Sequence, residues 1–320
     1  MRLPLLLAAV LWALPAASAY AAEPGPDEAA VAVEEPRERG ITGRNCLDEP
    51  RPKAVMNQLL GIKYGDLGLE HQTRVGACIP LWKRKGILFD LSHFEAGFVM
   101  HTSPIYVMPG AYVRFAPLSI LSVTVEGAPI AYWPIGVPAA GYYPLPGYDT
   151  DYRRENLPAE DGATAKGWYV RTGPNLQLAA PIGPLRLIVV DSLRFEYFTL
   201  GDADYFLHNR NDLPAAKADW SVDNMAIVMA EVPLTTNLQF RAGVNNQTTA
   251  TLGGDRVLSN AVRGVAMLHW NKLGGRVYNL SPMLAIGGRT NHPVRQGDFN
   301  VIIALSFNVE LSKKPVADAG

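Results

Sequence analysis

His101 and Ser103 stand two residues apart at the end of a stretch, Phe94-Glu95-Ala96-Gly97-Phe98-Val99-Met100-His101-Thr102-Ser103, that reads as a β-strand. In a strand, residues i and i+2 share a face. An imidazole beside a hydroxyl is the minimal pair for general-base attack on an ester or amide. The other histidines, His71, His93, His208, His269 and His292, are scattered along the chain, and no G-x-S-x-G turn accompanies any of them. Hydrolysis therefore rests on a lone pair at a strand end, and it is the secondary reading. No residue set points to a metal or other cofactor.

A second set of residues is richer. Glu70, Arg74, Glu95, Arg114, Glu126, Arg171, Arg186, Arg194, Glu196, Arg241 and Arg263 all fall on the polar side of segments that alternate apolar and polar. Charge enclosed by protein must be paired or hydrated. Two arrangements satisfy that. Salt bridges can fill a narrow interior, or an arginine excess can line a pore that favours anions.

Cys46 and Cys78 are the only cysteines. Cys46 precedes the first alternating segment. Cys78 sits near the end of the second, on its polar face. Both are expected at one rim, within reach of a single disulfide, and an exported chain meets an oxidising compartment. A two-thiol metal site lacks a supporting histidine-rich motif.

Strands must position all of these groups. In 299–311 the residues Phe299, Val301, Ile303, Leu305, Phe307, Val309 and Leu311 share one face, and Asn300, Ala304, Ser306, Asn308 and Glu310 the other, with Ile302 the one breach. The same dyad pattern recurs at 57–64, 67–81, 93–102, 110–116, 120–133, 167–179, 185–199, 237–246, 261–270 and 276–288. Residues 221–231 are apolar on both faces. That makes about twelve strands, with ten as the alternative. The connections alternate between short turns, such as 181–184 and 272–275, and longer loops, notably 134–166 and 201–220. The loop 134–166 carries Tyr142, Tyr143, Tyr148 and Tyr152, expected to serve as an aromatic belt and a folded-over cap rather than a ligand-binding surface.

The chain has 320 residues, 48% of them hydrophobic and 18% charged, with net charge -1. The charge is low against about 25% in soluble domains, and the balance gives no sign of a nucleic-acid partner. Arg2, the apolar run Leu3–Leu14 and the small residues that follow form a signal peptide, 1–21. No later apolar run is long enough for a membrane-spanning helix. An acidic, proline-rich segment, 22–54, is expected on the periplasmic side, followed by a barrel over 55–311 and a polar tail, 312–320.

With its signal peptide and strand repeat over about residues 55–311, the chain resembles Gram-negative outer-membrane β-barrel proteins as a class. That resemblance implies an all-β, antiparallel up-and-down transmembrane barrel in the bacterial outer membrane. It also implies outer-membrane lipid, lipopolysaccharide and the barrel-assembly machinery as partners. Many such proteins end on an aromatic residue that the assembly machinery reads; here Phe307 lies inside the last strand and the polar tail follows. The expected function is porin-like or structural, with a narrow arginine-rich lumen and passage of small solutes or anions. A membrane-embedded lipase or lipid A deacylase and a soluble lipocalin-like binder are the alternatives. The last conflicts with the outward apolar faces, since soluble barrels put apolar residues inside.

Overall fold

The computed structural model describes residues 52–64, 68–81, 88–89, 92–138, 140–253, 256–274 and 276–312. The expected signal peptide, most of the acidic segment, Cys46 and the end of the polar tail lie outside them.

Twelve antiparallel strands close into a barrel. In chain order they are β1 (Lys53–Tyr64), β2 (Gly68–Pro80), β3 (His93–Ser103), β4 (Tyr106–Leu118), β5 (Leu121–Tyr132), β7 (Ala165–Ile182), β8 (Leu185–Leu200), β11 (Ala218–Pro233), β12 (Leu238–Thr251), β13 (Leu258–Gly274), β14 (Val277–Asn291) and β15 (Phe299–Glu310). Three short strands, β6 (Pro144–Leu145), β9 (Tyr205–His208) and β10 (Leu213–Ala216), form a separate sheet in the loops. Closure joins the two ends of the chain, with Gln58 opposite Phe307 and Leu60 opposite Leu305.

The outer face is an apolar band. Phe98, Val113, Val125, Val170, Val228, Val244, Ile286 and Ile303 are all exposed there. A closed barrel with that surface satisfies every strand backbone group internally and offers hydrocarbon to lipid, the one sheet architecture that can cross a bilayer. Trp168, Tyr197 and Trp220 stack on one another at the rim that carries the long loops, with centroids 5.3 and 5.2 Å apart. Such aromatic girdles sit at membrane interfaces. Polar side chains also occur on this face, and they hydrogen-bond to one another. Asn224 Nδ2 donates to Asp191 Oδ1 at 2.7 Å, and Gln58 Oε1 lies 2.6 Å from His71 Nε2 and accepts from Thr73.

Inside, the wall bends sharply enough to need glycine. A Cβ on Gly97 would lie 2.1 Å from the Val75 carbonyl oxygen, and one on Gly243 1.9 Å from that of Val228. One sector of the interior is apolar. Ile188, Val190, Met229, Val265 and Ala285 are buried together, with Ile227, Met283 and Ile302 packed against them. This cluster explains why 221–231 reads as apolar on both faces: β11 turns Ile227 and Met229 inward and Val228 to lipid.

The tyrosines of the long loop form a cap and not a belt. Tyr142, Tyr143 and Tyr152 are buried, Tyr142 against Phe206 of β9, and β6 pairs with β9. Hence the loop after β5 and the β9–β10 hairpin fold as one unit over the long-loop rim.

Candidate functional site: the barrel interior and its mouth

The inward charges meet in networks. Glu126 of β5 accepts from Arg74 of β2 at 2.6 Å and from Arg171 of β7, and Tyr169 donates to it at 2.6 Å. The Arg74 contact spans β3 and β4, so it bridges the curved wall rather than running along it. His101 of β3 lies between two carboxylates, Nδ1 2.8 Å from Glu70 Oε1 and Nε2 2.8 Å from Glu126 Oε1. Tyr106 donates to the other oxygen of Glu70 at 2.6 Å. Arg171 continues the chain to Glu196 at 3.7 Å.

The remaining residues singled out from sequence also lie on the inner face. Arg186 and Arg241 share Glu231, at 2.8 and 2.6 Å. Arg194 pairs with Asp223 at 3.1 Å. Arg263 donates to Asn300 at 2.6 Å, to Asn245 and to Gln247. Arg114 donates to Thr124 at 3.2 Å, and Tyr112 donates to Glu95. Cys78 is buried at the turn end of β2, its sulfur near His93 and Glu95, and no free cysteine occurs among the described residues.

The histidines are accounted for differently. Both ring nitrogens of His101 face carboxylates, which leaves neither for Ser103. His71 faces outward. A true His–Ser contact exists elsewhere, His269 Nδ1 to Ser281 Oγ at 2.8 Å, but both side chains are buried and the hydroxyl donates to the Asn279 carbonyl. A serine bonded that way is not presented as a nucleophile.

The mouth carries residues that sequence reasoning did not select. Between β9 and β10, Arg210 reaches Glu196 at 3.3 Å and Glu70 at 3.5 Å. Two residues on, Asp212 accepts from Arg289 of β14 at 2.6 Å, with Arg295 at 3.6 Å and His292 beside it. Thr251 of β12 donates to the Pro214 carbonyl. The hairpin thus lies across the opening, tied to walls on both sides. Beneath it is a cavity of about 560 Å³. Five cationic side chains line it, Lys63, Arg154, Arg171, Arg194 and Arg210, against three carboxylates, Glu70, Glu196 and Asp223.

Parity would have found several of the missed groups. Asp223 and Glu231 share the inward face of β11 with Ser221, Tyr169 is two residues from Arg171, and Arg289 lies on the inward face of β14. Arg210 and Asp212 sit in a turn with no periodicity to read.

The fold and its surface define a transmembrane β-barrel of the outer-membrane type. Among solved structures, the chain is similar to an outer-membrane channel from Pseudomonas putida F1, at 12% identity and TM-score 0.42, covering 82% of this chain and 97% of that one. It is also similar to the β domain of the Bordetella autotransporter BrkA, at 10% identity and TM-score 0.42, covering 81% and 98%. The NanC porin aligns at 9% identity and TM-score 0.36, covering 80% and 100%. No protein-family profile and no curated protein sequence matches the chain.

Proposed function

We propose that this is a porin-like barrel of the bacterial outer membrane, with a narrow arginine-rich lumen that is closed at rest and takes small anionic solutes from the long-loop side. The observation that carries this reading is the cavity under the β9–β10 hairpin, where cationic side chains outnumber carboxylates five to three. In a low-dielectric, partly enclosed site such an excess concentrates anions. The hairpin's ion pairs to both walls support a closed resting state.

The test is conductance of the full-length protein in planar bilayers. Wild type should pass little current. Replacing Arg210 and Asp212 by alanine should release the hairpin, raise the current and give a reversal potential of anion-preferring sign in a salt gradient. A released hairpin with no current would mean that the barrel is filled by its own side chains, and the structural role would replace the channel. A membrane-embedded hydrolase has no support from His101, since its nitrogens are committed to Glu70 and Glu126.

A further inference from the structure

The cavity wall combines charged and apolar side chains. Leu59 of β1 and Ile302 of β15 turn their aliphatic side chains inward, against the polar rule of the lumen, and both line it, with Ile105 and Val137 from the loops. Leu59 keeps 39% of its surface exposed there. Ile302 also packs on the buried apolar cluster, so the cavity rests on hydrophobic side chains. The cations line the same space. Among them Arg194 is the most open of the ion-paired arginines at the cavity, with 38% of its side chain exposed; its partner Asp223 is further held by Gln247 and Thr249 at 2.7 and 2.8 Å. Gly61 lies between Leu59 and Lys63 on the inward face, and a Cβ there would meet only the Glu70 carbonyl at 4.0 Å. The glycine leaves room in the space. A hydrated lumen gains nothing from exposed leucine and isoleucine, whereas a ligand site of a few hundred Å³ normally combines an apolar wall with a few placed polar groups.

We infer that the cavity binds an amphipathic monocarboxylate, a small organic acid whose aryl or short aliphatic body lies against Leu59 and Ile302 and whose carboxylate meets Arg194. This rests on reading the cavity as a solute site, and it narrows the solute from any small anion to one with an apolar body. The recognition is ordinary: a guanidinium for the carboxylate, and removal of apolar surface from water for the body.

Phenylacetate is the probe, with acetate (the charge without the ring) and 2-phenylethanol (the ring without the charge) as controls. Full-length protein in detergent is titrated by saturation-transfer difference NMR, and folding of each variant is verified by heat-modifiable migration on gels. Phenylacetate should bind saturably, and each control at least tenfold more weakly. Gly61→Leu should abolish binding by filling the cavity. Arg194→Gln, on another strand, should weaken phenylacetate at least fivefold and leave 2-phenylethanol unchanged. Equal binding of acetate, no saturable binding, or indifference of the folded variants overturns the inference. Because binding is read without current, a barrel that binds but does not conduct removes only the channel, and one that conducts but does not bind removes only the solute class.

Discussion

Asp212, at the turn of the β9–β10 hairpin, accepts a hydrogen bond from Arg289 Nη2 at 2.6 Å across 77 residues of sequence. Two residues before it, Arg210 faces the other wall through Glu70 and Glu196. A hairpin held at both sides of the mouth by buried charge acts as a strap across it.

Asp212→Ala should be costly. It removes the carboxylate shared by Arg289 and Arg295, both buried. Breaking a buried ion pair by deleting one partner costs about 3–5 kcal/mol. The measurement is the urea midpoint of the barrel folded in vesicles. The double variant Asp212→Ala/Arg289→Ala should cost less than the sum of the two single changes, and strict additivity would show that the contact contributes nothing.

Arginine at Ile303, which is 54% exposed on the outer face, should destabilise the barrel by about 2–4 kcal/mol, the penalty for a cation near the bilayer midplane. At Ser306, three residues on and facing the interior, arginine should be milder. Equal damage at both positions in vesicle-based unfolding would contradict the assigned inside and outside of β15.

Cys46 and Cys78 are expected to form a disulfide that ties the N-terminal segment to the turn-end rim. A closed loop of about 32 residues (78 − 46) contributes roughly 3–4 kcal/mol by chain entropy. Thiol labelling of unfolded, unreduced protein from the native envelope should find no free cysteine. Two labelled thiols would refute the bridge.

The acidic residues Asp27, Glu28, Glu34, Glu35 and Glu38 precede the barrel. We propose that this acidic segment lowers the conductance of the barrel. Deleting residues 22–44 should raise the current. In the full-length chain the block should weaken as salt rises, because exposed charges are screened over about 8–10 Å at physiological ionic strength. A current unaffected by the deletion and by salt would exclude this role.

The alternation of residues such as Val301, Ile303 and Leu305 with Asn300, Ala304 and Asn308 determines the barrel by itself. A strand has no choice but to send successive side chains to opposite faces, so period two marks eleven of the twelve strands and the side that meets lipid, while β11, apolar on both faces, escapes it. It also marks Arg74, Glu126 and Arg171 as inward. What it does not contain is which inward residue meets which. Arg74 finds Glu126 only because closure and curvature bring β2 within reach of β5 across two intervening strands. Ile302 reads as a flaw in the alternation until the apolar cluster and the cavity are seen around it. Arg210 and Asp212 lie in a turn that contacts β8 nearby and β2 and β14 far away in sequence. Local side-chain geometry is periodic and therefore legible along the chain, whereas contacts across the interior depend on how the sheet closes, and only the tertiary structure decides them.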